Sequence, residues 1–374
     1  MRLSCLQENL SRGLSIVGRA VATRTTLPIT QNVLLASDQG RLKLSATNLE
    51  IAISTWIGAQ TEEPGEITVP ARLLTEFVSS LPAERIDFKA VKQPLSLEVS
   101  CARFKAQING SDAEDFPPVP TVESGVAGKV EAQALRDAIA HVVFAAATED
   151  SRPVLTGIKV EMSGDQFTFA AADGFRLAVY KGKLMEPIDQ AVSFIVPART
   201  LQEVSRLAGG QSEFIQFIVT PSKSQALFRL DNIEIVTQLV QGTFPNYSQL
   251  IPQSFDSRAV VGLSDFVRAT RAASIFARDG SGIVRIQVTS GDGGRVSVLS
   301  RSEEVGENKG EIDAKVEGNE SKIAFNSKYL ADVLGVLQSS EVALETTTPS
   351  SPGVIKPVGN DKYVHVVMPM FVQW

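Results

Sequence analysis

Acidic side chains form the densest groups of residues that could do chemistry in this chain of 374 residues. A hydrolase could use such carboxylates as metal ligands or as a general acid and base. Each group, however, lies in a polar segment beside glycine or proline, where solvated loop charge is the plainer interpretation. We therefore predict no catalytic site in these groups, which are Asp112, Glu114 and Asp115; Glu303, Glu304 and Glu307; and Glu311 and Asp313.

The other reactive side chains are few and separated. Cys5 and Cys101 are the only cysteines and form no C-x-x-C pair, so we predict buried thiols without a disulfide. His141 and His365 are the only histidines and make no local zinc motif. Phosphate-binding glycine loops and nucleophile elbows are absent from the sequence. The sequence predicts no enzyme, no metal and no cofactor, with a carboxylate hydrolase as the first alternative.

Two short segments are not explained as solvated loops. Ala171–Ala178 places an Asp-Gly turn before Phe175 and Arg176, which suits either a strand-turn-strand connection or a binding loop. The end of the chain, Tyr363–Trp374, is apolar up to its last residue, whereas chain ends are usually polar. Its methionines and aromatic residues indicate either docking into the protein's own core or an adaptable surface for peptides.

Composition and charge exclude several classes of protein. Hydrophobic residues make up 43% and charged residues 21% of the chain, as in ordinary globular proteins. The longest apolar runs, such as Val142–Thr148, are far shorter than the roughly 20 residues that span a bilayer. The N-terminus has no signal-peptide core, so we expect a cytoplasmic protein with no membrane contact. A formal charge of −6 argues against tight wrapping of nucleic acid but permits one basic face.

The chain repeats itself. Val69-Pro-Ala-Arg72 recurs as Val196-Pro-Ala-Arg199, and Phe325-Asn-Ser-Lys328 is a weaker third copy at a similar spacing. The segments Asp115–Pro120 and Gly242–Pro252 are predicted to be extended connectors, because proline fixes φ and disfavours helix in the residue before it. We therefore predict three domains of about 125 residues each, covering residues 1–127, 128–254 and 255–374.

Each repeat has the pattern of an α+β domain. Apolar residues three and four apart predict two amphipathic helices per repeat, and alternation predicts antiparallel strands with one buried face. Asn326 or Ser327 is expected to cap the last helix. The predicted helices are Leu6–Val21, Ala71–Leu81, Leu135–Ala147, Ala198–Leu207, Leu263–Ala277 and Ser327–Leu337, and the predicted strands include Arg41–Ala46, Gln166–Ala171, Ala226–Leu230 and Arg295–Leu299.

Six short segments, in order along the whole chain, carry a family resemblance. They are Thr26-Leu-Pro-Ile29, Val69-Pro-Ala-Arg72, Ala172-Asp-Gly-Phe-Arg-Leu-Ala178, Val196-Pro197, Gly242-Thr-Phe-Pro-Asn-Tyr247 and Val366-Val-Met-Pro-Met370. Any one of them alone is a weak signal. All six, in this order and spacing, resemble the bacterial DNA polymerase III beta subunits, the sliding clamps.

The resemblance implies a non-catalytic protein that confers processivity on a replicative polymerase. Two chains, each with three helix and antiparallel-sheet clamp domains, would join head to tail in a six-domain ring with helices around the hole. The ring would encircle double-stranded DNA without reading its sequence. The implied partners are the DNA polymerase III alpha subunit, the clamp loader, and other DNA polymerases and repair proteins, and the implied location is the cytoplasm at the nucleoid. A repeat-built scaffold or envelope protein without a nucleic-acid role is the second alternative.

The resemblance also implies contacts with DNA and with a second chain. Arg24 matches a position where the family touches DNA, and Arg199, in the predicted helix Ala198–Leu207, is the second residue that we expect to contact DNA. For the other helix arginines, which are Arg12, Arg19, Arg136, Arg268 and Arg271, a solvated helix face explains the sequence as well. In the family dimer, a strand of the first domain meets a helix of the third. This implies that Phe104 and Ile108 face Ile275 and Phe276, although both pairs suit an ordinary core equally.

A hydrophobic pocket between the second and third domains is the last implied site. It would bind short linear peptides, with apolar walls for varied anchor residues and with Arg152 and Arg176 orienting the peptide. The family often has histidine at Phe175, tyrosine at Val154 and arginine at Phe371, so the rim is more apolar here. The implied pocket residues are Arg152, Leu155, Gly174, Phe175, Arg176, Leu177, Pro245, Leu250, Asn326, Tyr329, Val366, Met368, Pro369 and Met370.

Overall fold

The computed structural model describes residues 1–149, 151–209, 213–278, 282–291 and 293–374. Helices alternate with antiparallel strands along this part of the chain, which confirms the α+β class. The first third contains the strands β1 (Arg2–Leu6), β2 (Asn32–Asp38), β3 (Arg41–Thr47), β4 (Ile51–Gly58), β5 (Gln60–Glu63), β6 (Glu66–Pro70), β7 (Arg85–Lys92), β8 (Leu95–Cys101) and β9 (Phe104–Asn109), and the helices α1 (Gln7–Val17) and α2 (Ala71–Ser80).

The remaining two thirds repeat this order. The middle third contains β10 (Val126–Glu131), β11 (Gly157–Ala172), β12 (Arg176–Pro197), β13 (Phe214–Val219), β14 (Gln225–Arg229) and β15 (Ile233–Gln238), with α3 (Ala132–Val142) and α4 (Ala198–Leu207). The last third contains β16 (Ser257–Gly262), β17 (Ile283–Thr289), β18 (Arg295–Ser302), β19 (Gly306–Gly318), β20 (Ser321–Asn326), β21 (Glu341–Thr346), β22 (Gly353–Pro357) and β23 (Tyr363–Val367), with α5 (Leu263–Arg278) and α6 (Ser327–Val336).

The helices lie where apolar periodicity predicts them, and two of them, α1 and α3, have limits that differ from the prediction by more than one residue. The prediction carried α1 to Val21, whereas the helix ends at Val17 and a 3₁₀ turn follows over Gly18–Ala20. Glycine lowers helix propensity, which accounts for the early end. α3 begins at Ala132 and tightens into a 3₁₀ turn at Val143–Ala145. The predicted Asn326 cap of α6 is confirmed, since its side-chain oxygen accepts from the N–H of Lys328 at 2.9 Å.

Three antiparallel sheets contain the strands. Their orders are β5-β1-β7-β8-β9, β10-β13-β14-β15-β4-β3-β2-β6 and β11-β12-β23-β22-β21-β16-β19-β18-β17-β20. The two larger sheets cross repeat boundaries, because β15 pairs with β4 and β23 pairs with β12. Consecutive repeats are therefore joined through the edges of their sheets, which satisfies strand edges that would otherwise be open.

The chain forms two compact units that do not coincide with the repeats. The first unit comprises Met1–Gln133 and Arg199–Leu239, and the second comprises Ala134–Ala198 and Val240–Trp374. The middle repeat is divided because its strands contribute to both of the larger sheets. The three domain limits drawn from the sequence stay a prediction.

Each unit has its own buried core. Leu14 of α1 is buried in the first unit, and Phe266 of α5 and Phe325 of β20 are buried in the second. Cys5 and Cys101 are free and buried, as predicted. Burial, reinforced by a nearby carboxylate, raises the pKa of the Cys5 thiol to about 12, so this thiol is not a nucleophile at neutral pH. Within the described residues, no helix is long and apolar enough to cross a membrane.

Candidate functional site

The residues Asp173–Arg176 form the turn between β11 and β12. The Asp173 carboxylate accepts from the backbone N–H groups of Phe175 and Arg176 at 2.9 and 3.0 Å, which makes this an Asx turn. Gly174 has a φ of +93°, which favours glycine, and a Cβ atom there would lie 2.6 Å from Nη1 of the exposed Arg152 side chain, which would have to move aside. The turn leaves the Phe175 side chain 56% exposed. The segment is thus a structural turn that also presents an aromatic ring to solvent.

Arg176 lies beneath the turn, with only 7% of its side chain exposed. Its Nε donates to Asp173 at 3.0 Å, its Nη1 donates to Asp332 of α6 at 2.6 Å, and its Nη2 donates to the carbonyl of Phe144. The guanidinium also lies 5.3 Å from the Phe144 ring and 4.4 Å from the Tyr329 ring. The expectation that Arg176 orients a peptide directly does not fit this burial, because its guanidinium is bonded inside the protein.

The end of the chain divides into a docked strand and an exposed segment. β23 lies inside the ten-stranded sheet, between β12 and β22. After it, the Met368 N–H donates to the Phe175 carbonyl and the Met370 N–H donates to the Ala324 carbonyl, both at 2.8 Å. The side chains of Met368, Met370 and Phe371 remain 43%, 36% and 87% exposed. Both interpretations of this segment therefore apply. The strand β23 docks into the core, and the residues after it form an apolar surface.

The predicted pocket residues all lie in the second compact unit, in two layers. Leu155, Leu177 and Val366 are buried in one core cluster that also contains Phe244. Leu250 ends a 3₁₀ turn whose neighbours pack against the same cluster. The exposed members are Arg152, Gly174, Phe175, Pro245, Leu250, Met368 and Met370, and the partly exposed members are Asn326, Tyr329 and Pro369. We call Phe175, Leu250, Met368 and Met370 the apolar rim, and we call the buried apolar residues Leu155, Leu177 and Val366 the floor.

Sequence reasoning missed several residues that hold this site. Asp332 and Phe144 bond Arg176 from 156 and 32 residues away, so no local pattern could reveal them. Tyr247 was visible in the second connector, and its hydroxyl bonds the Glu161 carboxylate. Its phenol pKa is raised by burial and by that carboxylate, so it stays a neutral hydrogen-bond donor. An aromatic residue two positions after Pro245 in a connector was the available signal for Tyr247.

A buried group of aromatic rings and histidine lies behind Arg176. His365 is fully buried, and its Nδ1 lies 3.2 Å from the Tyr363 hydroxyl. Its ring centroid lies 5.5 Å from that of Phe144. Burial, and then the positive charge of Arg176, lower the pKa of His365 to about 3. His365 is therefore neutral in the folded chain and acts as part of the core.

The predicted DNA-contacting arginines are at the surface. Arg24 and Arg199 are both exposed, the latter near the start of α4. Arg12 of α1 and Arg271 of α5 are exposed as well. Exposed guanidinium groups on helices suit phosphate contact, and which of them touch DNA stays a prediction.

The predicted dimer residues fall into exposed and buried positions. Phe104 of β9 and Ile275 of α5 are 53% and 57% exposed, and Phe276 is partly buried. Ile108 is only 3% exposed, because its side chain points into the core of its own unit. Ile108 therefore has almost no surface left to bury against a second chain, and Phe104 is the apolar side chain that β9 leaves open.

Two carboxylates of the acidic groups, Asp112 and Glu311, have local structural roles. Asp112 caps a 3₁₀ turn by accepting from the Glu114 N–H at 3.1 Å. Glu311 pairs with Lys309 at 2.8 Å and with Arg295 at 3.4 Å, and bonding to Lys309 first, then to Arg295, lowers its pKa. In the part of the chain that the structure describes, no three His, Cys, Asp or Glu residues are placed to hold a metal ion.

Family models match the chain in three consecutive segments. They describe the N-terminal domain of the DNA polymerase III beta subunit at residues 1–120, its central domain at 129–246 and its C-terminal domain at 248–371. The beta sliding clamp of Synechocystis sp. is 32% identical over 392 aligned positions, covering 99% of both chains. That of Bacillus subtilis is 28% identical over 380, again covering 99% of each.

Solved structures match the fold over the full length. The DNA polymerase sliding clamp from Bacillus subtilis superposes with a TM-score of 0.95 at 26% identity, covering 100% of both chains. The DNA polymerase III beta subunit from Pseudomonas aeruginosa gives a TM-score of 0.92 at 28% identity with the same coverage. A Pseudomonas aeruginosa sliding clamp with this TM-score has been solved bound to griselimycin.

Proposed function

The chain belongs to the DNA polymerase III beta subunit family, and we propose that it encloses duplex DNA and keeps the replicative polymerase on it. It is a sliding clamp, a non-catalytic processivity factor. The observation that carries this function is the match of three clamp-domain models in order, with a TM-score of 0.95 to a solved sliding clamp. Enclosure explains how a chain of formal charge −6 stays on DNA, since a closed ring needs no tight grip on phosphates.

The topology of the DNA provides the test. The protein, loaded by a clamp loader, should remain on nicked circular DNA through gel filtration and should be lost once the circle is cut. A binding protein that grips DNA by charge would be retained equally on both forms, and that result would refute enclosure. Replacement of Asp112, Glu114 and Asp115 together should leave retention unchanged, whereas a hydrolase that used these carboxylates would lose its activity.

A head-to-tail dimer would repeat a junction that each chain already contains twice. At the first junction β15 pairs with β4, and the Gln238 N–H donates to the Glu50 carbonyl at 2.9 Å. At the second, β23 pairs with β12, and the Met368 N–H donates to the Phe175 carbonyl at 2.8 Å. In the third repeat the counterpart of β4 and β12 is Gly306–Asp313 of β19, which among the described strands pairs only with β18. In the first repeat the counterpart of β15 and β23 is β9, which among the strands that the structure describes pairs only with β8.

The two open edges suit each other in a defined register. In the third repeat, the cross-strand pairs lead from Ala324 of β20 through β17 and β18 to Lys309 of β19. In the first repeat, the matching pairs lead from Thr68 of β6 through β2 and β3 to Ser54 of β4, so Lys309 is equivalent to Ser54. Ser54 lies opposite Glu234 at the first junction. Glu234 corresponds to Lys105, because the β8–β9 and β14–β15 hairpins both turn through two residues. Lys105 of one copy is therefore expected opposite Lys309 of the other.

This register supports the dimer on both faces of the sheet. On one face, Phe104 would lie over Gly310, which has no side chain. A Cβ atom added at Gly310 would lie 3.4 Å from the Ala269 methyl of α5. An exposed aromatic ring over a glycine beside a helix buries apolar surface without a clash. On the other face, Arg103 would lie opposite Glu311, a pairing of opposite charges that favours this register. Lys105 and Lys309 would be like charges directly opposite each other, and Glu307 and Glu311, which flank Lys309 on the same face of β19, offset their repulsion.

The peptide pocket is the proposed site for partner proteins. The floor belongs to a packed core cluster, and two of the rim residues, Phe175 and Met368, are two positions from floor residues Leu177 and Val366 along the chain. Flexible methionine side chains can fit apolar anchors of different shape. The Pseudomonas aeruginosa clamp bound to griselimycin is a relative of this fold with a bound ligand. The polymerase III alpha subunit, the clamp loader, and other polymerases and repair proteins would each bring a short linear peptide to this pocket.

The repeat explains why only one pocket per chain is expected. The first junction contains the same turn, since the Asn48 side chain accepts from the N–H groups of Glu50 and Ile51 at 3.1 and 3.0 Å. The residues that face solvent differ, however. Glu50 takes the place of Phe175, and Gln238 takes the place of Met368. Charged and amide side chains are poor walls for an apolar anchor. Leu49 is the exposed apolar side chain of this turn, at the position of Gly174, so the first junction has no counterpart of the Phe175 and Met368 walls.

The chain is proposed to work in the cytoplasm, at the nucleoid. Its proposed partner, duplex DNA, lies at the nucleoid, whereas a scaffold or envelope protein would not be found there. Fractionation of cells should recover the protein with the nucleoid, and recovery with the envelope would favour the scaffold instead.

A further inference from the structure

Arg176 connects three segments that come from distant parts of the chain. Its Nε bonds Asp173 in the turn at 3.0 Å, and its Nη1 bonds Asp332 on α6 at 2.6 Å. Its Nη2 bonds the carbonyl of Phe144, in the 3₁₀ turn that follows α3. A planar guanidinium offers donors in fixed directions. The three segments are therefore held at fixed distances from one another.

Two of these segments also supply the proposed pocket. The turn carries Gly174 and Phe175, and α6 carries Tyr329, one helical turn before Asp332. The Tyr329 ring stacks on the guanidinium at 4.4 Å. Asp332 thus pulls Arg176 toward α6 while Tyr329 covers it. The Arg176–Asp332 ion pair, which is not part of the apolar rim, therefore determines the distance between the Tyr329 ring and the Asp173–Arg176 turn.

We propose that Arg176 and Asp332 are positioning residues of the peptide pocket, which hold Tyr329 and the Asp173–Arg176 turn in place without touching the peptide. This proposal rests on the proposed pocket function. Apolar anchors impose little direction of their own, so affinity depends on walls that are already in place before the peptide arrives. A side chain that is 7% exposed cannot itself be a main ligand contact, whereas it can determine where its neighbours stand.

Asp332 is the better residue to change, because its side chain is 28% exposed and alanine suits a helix. Asp332→Ala should lower the affinity for a labelled peptide with leucine and phenylalanine anchors by about fivefold. Asp332→Asn, which keeps an oxygen acceptor for Nη1, should recover most of that loss. Asp265→Ala is the matched control. It removes an exposed carboxylate that pairs with Arg268 at 3.5 Å on α5, and it should leave peptide affinity unchanged.

A double-mutant cycle separates positioning from general stability. If Asp332 acts through the Tyr329 ring, Asp332→Ala should cost little further affinity in a Tyr329→Ala background. Additive losses of peptide affinity from Asp332→Ala and Tyr329→Ala would overturn the proposal. So would equal losses of affinity in Asp332→Ala and Asp332→Asn that simply parallel their losses in melting temperature. The pocket itself is tested separately by Met368→Ala with Met370→Ala. An effect of the methionines without an effect of Asp332 refutes the positioning role alone, and no effect of the methionines refutes the pocket.

Discussion

Met368→Ala combined with Met370→Ala should weaken peptide binding without disturbing the fold or the dimer. Fully burying a methionine side chain contributes about 1.5–3 kcal/mol. In the free chain 43% of Met368 and 36% of Met370 are exposed and available for a ligand to cover. The two fractions equal about four-fifths of one side chain, so the loss should be about 1.2–2.4 kcal/mol, or roughly 8- to 60-fold in Kd.

Fluorescence polarisation with the same labelled peptide measures this loss, and light scattering reports the dimer. Both methionines bond the chain through backbone N–H groups to Phe175 and Ala324, and alanine keeps those bonds. Met185→Ala is the matched control, because Met185 is 55% exposed on β12 but is not part of the apolar rim. It should bind peptide like the parent protein.

Two outcomes would refute the reasoning. An unchanged Kd in the double variant would mean that the pocket lies elsewhere. An equal loss in Met185→Ala would mean that exposed methionines bind the peptide non-specifically, in which case the floor and rim have no special role.

Three further predictions concern the dimer, pH and the turn. Lys105→Cys with Lys309→Cys should form an interchain disulfide on mild oxidation, seen as a dimer on non-reducing gels, because the proposed register places the two residues opposite each other. Burial lowers the pKa of His365 to about 3, against about 6.5 in an unfolded chain. Only the unfolded chain then gains a proton, so stability in urea titrations should be constant above pH ~6.5 and fall by about 2 kcal/mol from pH 7 to 5. Gly174→Ala should destabilise the chain by about 1–3 kcal/mol in the same assay, because φ is +93°. It should also weaken peptide binding, because the new methyl would displace the Arg152 guanidinium, whose Nη1 would otherwise lie 2.6 Å away.

Each of these has its own control. Lys105→Cys with Asn308→Cys shifts one side chain to the other face of the sheet, and equal cross-linking in this pair would contradict the register. His365→Leu should flatten the decrease between pH 7 and 5, and an unaltered slope would assign it to other groups. Gly335→Ala lies within α6 where nothing is within 4 Å of the added methyl. It should be neutral or slightly stabilising, and an equal loss there would show that the turn is not special.

Local patterns were sufficient to predict the repeated units and most of their elements. α4 was predicted at Ala198–Leu207 and lies there, because helix formation depends on residues three and four apart within one segment. The Asp173-Gly174 pair predicted a turn for the same reason, since the Asx bond and the positive φ are both local. The family resemblance could predict a pocket because each of its motifs is contiguous in sequence, and the pocket stays a prediction.

The directions of individual side chains in the site could not be predicted in this way. Phe104 and Ile108 are four residues apart and lie on the same face of β9, but only Ile108 is buried in the core of its unit. Alternation tells which residues share a face and not where along the strand that face is covered. The sequence therefore left both as candidates for the dimer, and only the packing separates them.

The amino-acid sequence by itself determined that three similar α+β units follow one another and that the chain belongs with the clamps, because periodicity and short motifs are properties of neighbouring residues. Only the tertiary structure decided what Arg176 does. Its partner Asp332 lies 156 residues further along the chain, and the two meet because β23 pairs with β12 and thereby brings the third repeat to the second. An arginine that looks like a ligand contact in a motif becomes a positioning residue once the sheet closes over it.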